Sequence, residues 1–449
     1  MKERINQRVE YYIKKLQNKA EYSDILNRSG AESADEQIYA VAFIPMLMEY
    51  VKWVLTEASK SGKKRLYFLA RDGYQMYVMA KSLAAKLGMD IDCRYLNVSR
   101  YAIRLPQYHL LGEGCLEYIC SGGIDVTFEK VMKRAGLTDE EAMEVAKLCD
   151  RDKSYKDIIN YGEVLKLREV LGKIPEFMTY IDVHSRDAYS NAISYLKQEG
   201  LIDDVSYGLV DSGWVGTLQK SIEHLVQTVN PKVSVTGYYF GMYELPKGMS
   251  SDKYNAFYFS PKSGIKKKVY FSNCLYEAVF TSPEGMTIGY EEKEGKYVPV
   301  YDLVSNPNEV RINRYIEMIR RFMETYVKDE FAYNEAASKK LVRQITYRLM
   351  GNPSMEEAKL FGGFLFCDDV LEKSMQKVAA ELNDEEVKNL RFVNKLLIMK
   401  GKKTGVIRDS AWIEGTIVRN GNKVRGNLWH ARMYKYIVYI RKRLQQGVF

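Results

Sequence analysis

The chain is 449 residues long, 46% hydrophobic and 28% charged. Those values suit a folded protein of two or three packed units and exclude a disordered one. The net charge of +9 has a local origin. From Gly415 to Phe449 lie Arg419, Lys423, Arg425, Arg432, Lys435, Arg441, Lys442 and Arg443 with no acid, leaving the rest near neutral.

The N-terminus, MKERINQRVEYYIKK, reads as a charged helix and not a signal peptide. No apolar run approaches the roughly 18 residues of a membrane span. Helices are expected over residues 1–60, the last of them IYAVAFIPMLMEYVKWVLTEASK. A short strand at Leu66–Ala70, a helix closed by Gly88 and a second strand, IDCRYLNVSR, make a βαβ unit and hence a parallel sheet. Residues 107–200 read as a helical insertion, with the T-x-x-E capping box Thr138–Glu141 marking one helix start. The sheet resumes at VSYGLV, with two further strands in VSVTGYYFGM and NAFYFS. Beyond about residue 300 the chain is helical to its end. The expected fold is α/β: a mainly parallel, Rossmann-like sheet over residues 61–300, with helices before it, inserted in it and after it over 301–449.

Chemistry gathers at the expected strand ends. Asp211-Ser-Gly-Trp-Val-Gly-Thr217 reads as an acid ending a strand, a glycine loop and a helix start suited to phosphate. The other reading is a plain turn capped by Asp211. Arg71-Asp72-Gly73 follows the first strand and Ser99-Arg100 the second. Arginine can grip a phosphate through two bonds, although Arg71 and Asp72 equally suit a structural ion pair. Glu277 and Thr281-Ser282-Pro-Glu284-Gly285 are candidate rim or acceptor residues, or a capped turn. Trp412 is a candidate sugar-stacking residue, or a packed one. The four histidines lack ligand spacing, and six cysteines without a CxxC pair fit reduced thiols and no structural metal.

FLARDGY, YLNVSRYAIRLP, LVDSGWVGTLQ and FTSPEGMTIGY, in that order, resemble a bacterial polysaccharide-biosynthesis family often labelled as haloacid-dehalogenase-type hydrolases. The similarity covers about residues 30–430. In two-domain members of that family a phosphatase precedes a glycan phosphoribosyltransferase domain, and the motifs quoted resemble the transferase. No Asp-x-Asp ends an early apolar strand, so the phosphatase is not expected here and a separate one is.

The resemblance implies transfer of phosphoribose from phosphoribosyl pyrophosphate, with Mg²⁺, onto a glycan or lipid-linked glycan. It implies a donor loop of Ser212, Gly213, Trp214, Gly216 and Thr217, with the 5′-phosphate on Gly213, Gly216 and Thr217. Asp211 would meet the ribose hydroxyls or Mg²⁺, and Gly73 and Ser99 would line the donor site. Arg71 and Arg100 would hold the pyrophosphate, and Asp72 would act as general base, with Asp211 and Glu277 as alternatives. A sugar-nucleotide glycosyltransferase, a phosphatase and a non-catalytic assembly scaffold remain open. The basic end, LWHARMYKYIVYIRKRL, interleaves aromatics and cations. It reads either as a helix packing its Tyr/Ile face on the body or as a contact for anionic lipid at the inner membrane face of a cytoplasmic protein. No nucleic-acid motif occurs, so nucleic acid is not expected as a partner.

Overall fold

A computed structural model describes residues 2–123, 126–303, 305–366 and 375–446. Five strands, β1 (Arg65–Leu69), β2 (Asp92–Leu96), β3 (Tyr207–Trp214), β4 (Thr236–Met242) and β5 (Tyr254–Phe259), form a sheet ordered β2-β1-β3-β4-β5. Every neighbouring pair is parallel. Both faces are covered, which is why β1 is a continuous apolar run. Its alternating side chains serve two cores: Leu66 and Phe68 join the N- and C-terminal helices, while Tyr67 and Leu69 join the helices Pro175–Gln198 and Thr217–Gln227. The chain leaves β1 toward β2 and β3 toward β4 in opposite directions. The carboxyl ends of β1 and β3 therefore flank the crevice where doubly wound sheets bind ligands.

The expected α/β fold with its parallel sheet is present, and four local readings change. First, β3 continues through Trp214, so Asp211, Ser212 and Gly213 belong to a strand and not to a loop. Gly213 sits at φ +112°, where an added Cβ would lie 2.4 Å from the Gly241 carbonyl of β4. The sheet itself therefore requires this glycine.

Second, β6 (Thr287–Lys293) and β7 (Lys296–Tyr301) form an unexpected antiparallel hairpin. Glu294 and Gly295, both at positive φ, supply its tight turn. Third, Ala34–Lys60 is one continuous helix, long and apolar enough by composition to cross a membrane, with mean hydropathy 1.5. Its apolar window is wholly buried. Glu49 and Lys52 lie inside it at 0% exposure, compensated by Lys19 (2.6 Å to Glu49) and Glu21 (2.7 Å to Lys52). A core helix cross-linked by ion pairs to the N-terminal segment explains both its apolarity and its buried charges.

Fourth, Trp412 is fully buried, its indole N–H donating to the Met350 carbonyl at 2.8 Å. It packs the C-terminal helices together and cannot stack a sugar. The inserted helices between β2 and β3 have a core of their own, including Leu105, Phe128, Val145 and Phe177.

Gly213→Ala is expected to destabilise the fold by at least about 1–3 kcal/mol from backbone strain alone, seen as a lower urea midpoint. An unchanged midpoint would contradict the strand assignment at that position.

Candidate functional site

The turn after β1 places Arg71 and Asp72 ahead of the helix Gly73–Leu87. Gly73 is needed there because a Cβ would press on the Phe68 backbone at 3.0 Å. Arg71 adopts φ +69° and Trp214 φ +73°. Bulky residues in this left-handed region cost about 1–3 kcal/mol each and persist where surrounding contacts over-determine them. The contacts are visible: the Arg71 N–H donates to Tyr95 Oη at 3.1 Å, and the Trp214 indole N–H donates to Glu277 Oε1. The Trp214 ring also packs on Phe271 and Tyr276.

Three carboxyl groups meet at the β1–β3 crevice. Asp72 comes from the turn after β1, Asp211 from β3, and Glu277 from the helix Asn273–Phe280. Asp72 accepts a hydrogen bond from the Ser212 hydroxyl. Burial raises the Asp72 carboxyl above its ordinary range, against the opposing pull of Arg71, Ser212 and Arg100. Burial and the charge of Asp72 push Asp211 up to about 7 and Glu277 up to about 8. The three titrate as a set, since each proton changes the field at the others. Near neutral pH such a set holds protons that isolated carboxyls would have lost.

The cations acting on the set are Arg71 and Arg100, and beside Arg100 lies one that the sequence reading missed, Arg104. Arg100 and Arg104 begin and end the short helix Arg100–Arg104, one turn apart. Arg104 Nη2 donates to Thr217 Oγ1 at 2.9 Å, and its guanidinium lies 4.2 Å from the Tyr118 ring centroid. Burial pulls it down to about 10, and the neighbouring charge of Arg100 acts in the same direction. The i, i+4 spacing after Arg100 was the available signal. Thr217 opens the helix Thr217–Gln227, whose N-cap residue Gly216 supplies no side-chain cap.

Several expected contacts have structural explanations. Ser99 caps the Arg100 helix through Ala102 N–H (2.9 Å) and donates to the Thr287 carbonyl (2.6 Å). Gly216, at φ +73°, leaves room for Tyr254, whose ring a Cβ would meet at 2.7 Å. Gly285 is required because a Cβ would collide with the Leu303 carbonyl. Ser282 is buried and donates to the Glu284 carbonyl at 3.2 Å. Glu284 stays near the rim, with Oε2 buried and lacking a hydrogen-bond partner.

Arg71, Asp72, Glu277, Ala278 and Thr281 line one side of a cavity closed by Asn306, Leu365, Phe366 and Met375. Its volume is about 30 Å³, enough for one water. Among the described residues no three His, Cys, Asp or Glu side chains form a metal-ligating group. No family model matches the chain, and no curated protein matches it in sequence.

The raised acids carry a stability prediction. Glu277 binds a proton in the folded state that the unfolded chain releases near pH 4.5, so stability falls as pH rises from there through about 8. Glu277→Gln keeps the acceptor for Trp214 and removes the titration. Its melting temperature is expected to fall less than the wild type's between pH 5 and 9. A parallel decline in both proteins would contradict the assignment.

Proposed function

We propose that this chain is a glycosyltransferase that moves phosphoribose from phosphoribosyl pyrophosphate to a hydroxyl of a bacterial surface glycan. The observation that carries the reading is the meeting of Asp72, Asp211 and Glu277 with Arg71 and Arg100 at the β1–β3 switch point. A donor with a phosphate at one end and a pyrophosphate at the other needs cations for each and an acid–base group between them, and this rim carries both kinds. The motif resemblance supports the same donor.

In this reaction Asp72 takes the proton of the acceptor hydroxyl, whose oxygen bonds to C1 of the ribose. The C1–oxygen bond to pyrophosphate breaks on the opposite face, so an α-linked donor gives a β-ribofuranoside. Pyrophosphate leaves against Arg71 and Arg100, and fixed cations there stabilise the charge that develops. The raised proton affinity of Asp72 suits a base. The 5′-phosphate goes to the uncapped start of the helix Thr217–Gln227, where Arg104 adds positive charge. Gly213 and Gly216 shape that end of the strand and need not touch the phosphate.

Asp211 fits Mg²⁺ of the kind completed by substrate phosphates and water, because the charge of Asp72 raises its proton affinity and a cation there would offset that charge. Bound there, the ion would neutralise pyrophosphate charge. The donor is larger than the 30 Å³ cavity, so Asn306, Phe366 and Met375 must yield as it enters. A glycan acceptor and a separate phosphatase acting on the product complete the scheme.

Phosphoribosyl pyrophosphate with Mg²⁺ is expected to raise the melting temperature well beyond the effect of UDP- or GDP-sugars, since a ligand specific to the native state stabilises it. A shift from nucleotide sugars alone would overturn the donor. Asp72→Asn should retain the shift from phosphoribosyl pyrophosphate but slow transfer by at least about 10²-fold. Wild-type transfer by this variant would move the base to Asp211 or Glu277.

A further inference from the structure

The C-terminal helix Val424–Gln445 meets the body along one side only. Leu428 and Ala431 are buried, Lys435 pairs with Glu414 at 2.7 Å, and Lys442 pairs with Glu244 at 3.3 Å. Tyr439 stacks on Tyr243 with ring centroids 5.3 Å apart. Arg432 donates to the Gly351 carbonyl and to Asn352 Oδ1, both at 2.7 Å, and Arg443 donates to the Lys262 carbonyl at 3.4 Å. The body thus takes Tyr439 and four of the cations, whereas one of the two sequence readings put the Tyr/Ile face inward and the basic face outward.

The opposite side is apolar. Trp429, Met433, Tyr436, Ile437, Ile440 and Leu444 fall within an arc of about 100° at helical spacing. Trp429 is 57% exposed, Ile437 42%, Ile440 45% and Leu444 54%. Arg425 and Arg443 border this stripe on one margin, Lys423 and Arg441 on the other, and the helix contains no acid. Beside it lies the helix Phe392–Met399, with no fully buried residue and Val393 and Met399 exposed. Lys395 of that helix sits 4.6 Å from the Tyr434 ring centroid, and exposed Lys400 and Lys402 follow it.

We propose that the outward stripe of the helix Val424–Gln445 lies in the headgroup–acyl boundary of an anionic lipid membrane, with the helix axis in the membrane plane. Aromatic and aliphatic residues between two cationic margins are the pattern of helices that bind there, the apolar arc entering and the cations meeting headgroup phosphates. A second copy of the chain on the same stripe would bring like-charged margins together with no acid on either helix, so charge favours lipid over self-association. The placement also bears on the proposed chemistry, on which this one point rests. Tyr243 directly follows β4, and its ring is 5.8 Å from that of Trp214, the partner of Glu277. The stripe therefore sits at the same end of the sheet as the carboxyl set, suited to a lipid-linked acceptor.

Trp429 provides the readout, because Trp53, Trp214 and Trp412 are all 5% exposed or less. The full chain is mixed with vesicles of equal parts phosphatidylglycerol and phosphatidylcholine carrying brominated acyl chains. The expected result is quenching of Trp fluorescence with a blue shift. Both should be absent from phosphatidylcholine alone, weaken at high salt and vanish in Trp429→Phe. Ile437→Ser/Ile440→Ser, both on the outward side, should retain the melting temperature and bind these vesicles at least about 10-fold more weakly. Unquenched Trp429 in pelleted vesicles, equal quenching in neutral vesicles, or a dimer with Trp429 protected would each overturn the proposal. Donor binding is measured separately, so failure here leaves the transferase reading intact.

Discussion

The cleft depends on one residue held in an unfavourable backbone state. Trp214 ends β3 at φ +73°, and its indole N–H reaches Glu277 sixty-three positions later. The ring is wedged among Phe271, Tyr276, Tyr243 and Phe259. Packing and the hydrogen bond to Glu277 together outweigh the strain, and they fix where β3 stops. With the strand end fixed, Ser212 meets Asp72, and the three carboxyl groups cannot avoid one another.

Crowded acids in a part-buried cleft oppose folding unless protons or cations offset them. Arg71 and Arg100 do part of this, and raised proton affinity at Asp211 and Glu277 does more. A buried set left partly protonated is a poor device for stability and a good one for moving a proton or accepting a cation-bound substrate. Burial and the charge of Arg100 act against Arg104 in the same way, and its Nη2 points at the residue that opens the Thr217 helix.

How far the sequence revealed this follows from what each signal depends on. Continuous apolar runs ending in Arg-Asp or Asp-Ser disclosed β1, β3 and the acids at their ends, because strand burial and chemistry are both local there. The end of β3 was misplaced because Gly213 and Gly216 look like loop glycines, whereas β4 and Tyr254 are what require them. Glu277 was readable as a rim residue or an alternative base but not as the partner of Trp214, since nothing near it in sequence announces that contact. Trp412 could not be told from a sugar-stacking residue until the C-terminal helices enclosed it. For the last helix the composition was informative and the direction was not. Which side faces the body is decided by Glu244, Glu414 and Tyr243, three distant residues that the helix itself cannot disclose.

The most direct measurement of the central claim is a phosphorus NMR time course of the protein with phosphoribosyl pyrophosphate, Mg²⁺ and a surface-glycan acceptor. The account predicts that pyrophosphate appears in step with a phosphomonoester that stays attached to the glycan, and that neither forms without acceptor. Release of inorganic phosphate in place of that pair, or transfer from a sugar nucleotide with phosphoribosyl pyrophosphate left intact, would contradict it.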